Sequence, residues 1–350
     1  FYTGGSNERL SISAAGAVTI ASGTLTLGSL DIGHGLGGSN TATALGANAL
    51  AASLSSSTRN TAIGYDALND LNHADADRNT AVGAYAGDSI TEGAKNTAVG
   101  DSALSSVTTT DFNTAIGYEA LFTQDPASNV DMYNVAVGYA AGKLLTTGVN
   151  NTFIGGLAGD ANTTANNNTA VGYTALGANT TGAENTAVGA NALDANTTAS
   201  YNSAFGVGSL GTNTTGSEQT AVGGYALYGN TTASYNTAVG YSAAYTNTTG
   251  DRLVAVGYQA LKVNTTADAN TALGYRALHD NTTGANNIAI GFDCMYANTT
   301  GTQNVAMGLN ALVASNGNYN TAIGYTAMDS NTSGGLNVAV GIDTLDANTT

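Results

Sequence analysis

The chain of 350 residues is poor in most of what an ordinary globular enzyme uses. It has 1 cysteine, 1 proline and no tryptophan, and only 9% of its residues are charged. A single cysteine excludes an internal disulfide. Cys294 stands where the repeat described below otherwise has alanine, so it reads as a small buried filler rather than a nucleophile. Lysine and arginine total 8 and do not cluster, which excludes a phosphate-backbone interface, so no nucleic-acid partner is expected. The net charge of −16 is spread thinly and reads as a solvated acidic surface. No stretch approaches the roughly 20 apolar residues of a membrane-spanning helix, so no membrane insertion is expected.

Chemistry is equally sparse. His34, His73 and His279 do not recur with the repeat, and none has a spaced Cys, His or Glu partner that reads as a metal site. The carboxylates occupy variable positions, so no acid–base pair stands out. Neither a Gly-x-Ser-x-Gly elbow nor a strand–glycine-loop–lysine phosphate cradle occurs. The reading is therefore no enzyme, no cofactor and no metal.

What is present is one phrase repeated. Asn168-Thr-Ala-Val-Gly-Tyr-Thr-Ala-Leu-Gly-Ala-Asn-Thr-Thr-Gly-Ala-Glu184 has counterparts over most of the chain. With its Asn as position one, copies start at 42, 60, 79, 96, 113, 134, 151, 168, 185, 202, 219, 236, 253, 270, 287, 304, 320 and 337. Thirteen of the 17 spacings are 17 residues; the others are 18, 19, 21 and 16. The long ones fall early and add residues at 71–78 and 123–133, as loops on one side of a solenoid would. Position five is Gly in all 18 copies, position four is bulky and apolar in all 18, and position three is Ala in 17, with Phe153 the exception. From residue 162 onwards, positions 12 to 14 usually read Asn-Thr-Thr.

An apolar run this short, broken by Gly and β-branched residues, is unfit for a helix. Seventeen residues suit one coil of a parallel β-roll or β-helix. The expectation is an all-β solenoid in which Thr-Ala-Val-Gly-Tyr is a strand, Ala-Leu a second, shorter strand, and Asn-Thr-Thr-Gly the turn. At about 4.8 Å per rung, 18 rungs would extend on the order of 85 Å. Residues 1–39 differ. Leu10-Ser-Ile-Ser, Ala17-Val-Thr-Ile-Ala and Thr24-Leu-Thr-Leu alternate with period two and predict two or three strands, with Gly16 and Gly23 at turns. Asp31-Ile-Gly-His-Gly reads as a turn, and residues 33–38 as a flexible joint. The domains are thus a β-rich connector or cap at 1–39 and a repeat shaft at 40–350, its last copy cut at the chain end. The opening at Phe1 and the stop inside a repeat at Thr350 read as part of a longer polypeptide.

Alternation along the strand separates position four from positions three and five. The interior is expected to hold Val171, Leu176, Val188 and Leu193. Ala170, Gly172, Ala187 and Gly189 would then face outward, and their small size along every copy predicts a neighbouring backbone packed against them. The simplest neighbour is a second and third copy of the chain, giving a homotrimer. The aromatic column of Tyr173, Tyr241, Tyr258 and Tyr275 reads either as stacking that stabilises the stack, at the end or in the interior of the coil, or as a binding stripe. The Asn of position one, and after it that of position 12, are candidates for amide ladders.

The phrase Asn-Thr-Ala-Val-Gly-Tyr-x-Ala-Leu-x-x-Asn-Thr-Thr-Gly resembles repeats of tail-fibre and fibre-like proteins of tailed phages. Gly16-Ala-Val-Thr-Ile to Leu30-Asp-Ile-Gly-His-Gly35 resembles their lead-in. The Ala-Val-Gly core is also similar to the head repeats of trimeric autotransporter adhesins, which form trimeric left-handed parallel β-rolls. The resemblance covers residues 10–350 and implies a rigid trimeric shaft in the tail fibre of a virion. Such a spacer would reach a host cell surface indirectly, through a receptor-binding tip outside this sequence. The alternative it implies is a bacterial cell-surface adhesin or extracellular filament. Asn-Thr-Thr also matches the glycosylation acceptor pattern, from Asn162 and Asn179 through Asn298 to Asn348. A sugar series there would mark a cell-surface filament. A third reading is an ice- or polysaccharide-binding solenoid that uses the threonine column.

Overall fold

The computed structural model describes residues 10–12, 18–20, 24–27, 30–33, 42–53, 57–124, 126 and 130–349. The expected turns at Gly16 and Gly23 and the joint at 34–38 lie outside them. The chain divides into two compact units, Phe1–Asn151 and Thr152–Thr350.

In the first unit β1 (Leu10–Ile12) pairs antiparallel with β2 (Val18–Ile20), and β3 (Thr24–Leu27) with β4 (Leu30–Gly33). Asp31 is therefore in a strand, not a turn. Ile32 and Gly33 pair antiparallel with Leu45 and Ala44 of β5 (Thr43–Leu45), the first rung. From β5 the pairing is parallel and in register through β6 (Thr61–Ile63), β7 (Thr80–Val82), β8 (Thr97–Val99), β9 (Thr114–Ile116) and β10 (Val135–Val137). The second unit holds twelve such strands, from β11 (Thr152–Ile154), β12 (Thr169–Val171) and β13 (Thr186–Val188) to β22 (Val338–Val340). Ala170 sits over Ala187, and Ala187 over Ala204, as equal repeats require. The protein is an all-β solenoid with a coil of about seventeen residues.

The copy at 168–184 shows what binds the rungs. Thr169, Leu176, Ala178 and Thr180 donate backbone N–H bonds of 2.8–2.9 Å to the following coil. Gly172, Thr174 and Glu184 donate bonds of 2.8–3.1 Å to the preceding one. Backbone groups are thus satisfied from both sides without long strands. The strand has three residues where the sequence suggested five, and the Ala-Leu tract is not a strand. Backbone dihedrals explain both corrections. Gly172 has φ +139°, Thr174 +50° and Leu176 +58°, and the residues between them are not left-handed. A backbone that alternates in hand curls instead of extending. Position five must be glycine for a second reason. A Cβ on Gly172 would lie 2.5 Å from the carbonyl oxygen of Gly189 in the next rung.

The sides of the strand are reversed from the sequence expectation. Ala170 and Ala187 are fully buried inside their own coil, while Val171 and Val188 are half-exposed. All 18 residues at position three are buried. The four residues expected at a chain–chain contact are therefore not surface side chains. The close backbone that Gly172 and Gly189 meet belongs to the next rung of the same chain. Leu176 and Leu193 are buried, as expected. The physical reason is width: the opposite wall sends Leu towards the strand, which leaves room there only for a methyl group. Phe153 confirms this by exchange. The one large residue at position three is fully buried, and position nine of its coil is Gly159, where a Cβ would lie 2.5 Å from the Phe153 ring.

The interior corner at position 12 is polar in the second unit. From Asn179 to Asn298, seven successive amides each donate Nδ2–H to the Oδ1 of the rung before, at 2.8–3.1 Å. The other hydrogen goes to the position-15 carbonyl of the same coil, at 2.9–3.1 Å. This uniform chain of amides satisfies buried groups and polarises each bond through its neighbours. Position one is different. Asn168 Oδ1 accepts the backbone N–H of Asn185, and its Nδ2 donates to Gly182, the carbonyl that Asn179 also uses. The amide-to-amide ladder is thus clearest at position 12, the second candidate, and position one clamps backbone.

Candidate functional site

With the interior closed by Ala, Leu and Asn, the exposed columns are the surfaces that could act. Positions four and six point outward together. Tyr173, Tyr241, Tyr258 and Tyr275 are 59%, 50%, 43% and 41% exposed, so the aromatic column is neither inside the coil nor at its end. Three of the four form one stack. Ring centroids are 5.9 Å apart for Tyr241–Tyr258, 5.2 Å for Tyr258–Tyr275 and 4.9 Å for Tyr275–Phe292, with interplanar angles of 10–14°. Each such pair contributes about 0.5–1.5 kcal/mol beyond burial. Tyr173 lies outside this stack because position six is Gly156 and Ala190 in the adjacent coils. Its ring leans over Gly156 instead. Exposed apolar side chains such as Leu273 and Met307 at position four extend the stripe.

Thr-Thr forms a second surface. Position 13 is half-buried, and its hydroxyls donate to the carbonyl of the next threonine at 2.9–3.1 Å from Thr163 to Thr282. Position 14 is exposed in nine successive copies, from Thr164 to Thr300. The asparagine just before these threonines is fully buried from Asn162 to Asn298. Its amide nitrogen is inside the coil, so the folded stack withholds these acceptors from glycosylation. The sugar series that the sequence offered as a discriminator is closed by packing.

Ionisable groups pair locally. Lys143 bonds Glu119 at 2.6 Å, and Arg276 reaches Asp293 in the next coil, its Nε donating at 2.8 Å. In both cases the acidic partner holds the basic group above its ordinary pKa. His73 lies 3.8 Å from exposed Asp75. His279 bonds Asp280 at 2.6 Å and stacks on Tyr296. His34 is outside the described residues. Burial pushes the Cys294 thiol up to about 12, so it stays protonated and unreactive at neutral pH. Among the described residues, no group of three or more His, Cys, Asp or Glu is placed to hold a metal ion, and no helix is long and apolar enough to cross a membrane.

The sequence located the aromatic column and missed its exposure. The parity of alternation was visible, but parity alone does not say which side is in. The exposed position-14 threonines are legible only once the coil is built. Comparisons with protein-family models, curated proteins and solved structures found no match for this chain.

Proposed function

We propose that this chain is the structural shaft of a phage tail fibre: a rigid trimeric spacer that projects a receptor-binding element from a virion. The observation that carries the reading is the identity of the junctions. Within each unit, successive rungs pair strand to strand in the same register, so an added repeat lengthens the stack without changing it. Such near-additive, neighbour-only architecture suits a part whose useful property is length. The ladders favour stiffness over chemistry, and the residues that vary least are interior.

The trimer is formed through the outward column at positions four and six. A monomer seldom leaves so long an apolar stripe in water. A partner that is itself a copy of the chain offers the same stripe at the same spacing.

Sedimentation of the purified chain should give three copies per particle at micromolar concentration. Deletion of the four repeats at 168–235 should leave a trimer shortened by about 19 Å in electron micrographs, at about 4.8 Å per rung. A monodisperse monomer, or an unchanged length after the deletion, refutes the shaft.

A further inference from the structure

One place on the second unit departs from the repeat in a coordinated way. Gly208 and Gly211 occupy positions seven and ten of their coil, and Tyr225 and Tyr228 occupy the same positions one coil later. A Cβ on Gly208 would lie 2.9 Å from Tyr225 Cδ1, and one on Gly211 2.9 Å from Tyr228 Cε2. The two glycines therefore make room for the two rings. Tyr225 then stands edge-on to its neighbours. It meets Tyr241 at 6.0 Å and 89°, and Tyr245 at 6.4 Å and 72°. Parallel rings would close on each other, as Tyr258 and Tyr275 do; these perpendicular rings leave a corner between them.

The corner opens a cleft of about 330 Å³, lined by Tyr225, Tyr241, Ser242, Tyr245, Gln259 and Lys262. That volume is at the lower end of ligand sites, roughly 300–1,000 Å³. Its polar groups are uncommitted. Among the described residues, the side chains of Gln259 and Lys262 and the hydroxyls of the three tyrosines have no hydrogen-bond partner, and Lys262 has no ion pair. Nearby Arg276 does have a carboxylate partner, Asp293. An unpaired ammonium in a chain of net charge −16 is itself unusual. No carboxylate lines this cleft.

We propose that this cleft binds a short acidic saccharide on the side of the stack. The ring faces fit the C–H face of a sugar, the carboxamide of Gln259 and the phenol hydroxyls exchange hydrogen bonds with its hydroxyls, and Lys262 receives its carboxylate. The surrounding negative charge limits the ligand to one or two sugar residues, because a long polyanion would be repelled. This site is independent of the shaft proposal, since it requires only one chain.

Calorimetric titration of the full chain with sialyllactose and with digalacturonate tests it, with lactose as the neutral control. At least one acidic probe should bind saturably, and Lys262→Ala and Tyr241→Ala should each weaken that binding by about tenfold or more. Tyr173→Ala, away from the cleft, should leave it unchanged, and circular dichroism should show all three variants folded. Failure of both acidic probes to bind, equal binding of lactose, or full binding by folded Lys262→Ala overturns the proposal.

Discussion

The two units build the same interior corner from opposite chemistry. At position 12 the first unit places Leu71, Ile90, Val107 and Leu145; the second places Asn from Asn162 to Asn298. All are fully buried. Coil spacing differs with them. The first unit contains the spacings of 18, 19 and 21 residues, while the second keeps 17 with a single 16. An apolar corner needs only to be filled, so neighbouring coils can differ in length. An amide ladder needs each oxygen beneath the next nitrogen, and that demands equal coils. The one short spacing shows the cost. There the corner holds Ser315, and Asn298 Oδ1, the last acceptor of the run, has no partner.

The largest expected effect concerns what the units share. Ala170→Glu in the second unit and Ala98→Glu in the first should each destabilise by about 4 kcal/mol or more, because a charge would enter the narrow side of the coil. Ala178→Glu, at an exposed turn position, should change urea stability little. A tolerant Ala98→Glu would mean that the units do not share one interior. The middle effect tests the difference itself. Asn247→Leu strips Asn230 Oδ1 of its donor and Asn264 Nδ2 of its acceptor, and should cost about 2–3 kcal/mol. Ile90→Asn places an amide between Leu71 and Val107 and should cost about as much, again roughly 2–3 kcal/mol. Neutral exchanges in both directions would show that the two corners are interchangeable.

The smallest effect is electrostatic and confined to the first unit. Burial raises the carboxyl pKa of Asp88 and Asp111. A raised folded pKa means that the fold binds the proton more tightly than the unfolded chain does. That contribution is complete below the ordinary carboxylate value of about 3.9 and is lost as pH rises through the folded value. Asp88→Asn keeps an acceptor for the Ser105 hydroxyl, which donates at 2.7 Å. It should therefore be slightly more stable than the parent at pH 7, by less than about 1 kcal/mol, with the gap closing in acid. Among the described residues, no carboxylate of the second unit has a raised pKa, so the equivalent Asp194→Asn should show no such trend.

The sequence by itself determined the period, the number of coils, the parallel in-register stacking and the turns. Each follows from local composition repeated at constant spacing, and stacked identical residues leave little freedom of register. The exceptions were legible too: Phe153 and Gly159 stand six residues apart in one copy. Only the tertiary structure decided which face is inside. Alternation groups Ala170 with Gly172 and sets Val171 against them, but it carries no sign. The sign depends on how closely the far wall approaches, and that wall is placed by Leu176, which sits left-handed beyond a glycine that turns the chain. With Leu entering from one side, the strand can offer only a methyl group from the other. Val and Tyr are consequently turned to the surface, where the columns open to partners and ligands are found.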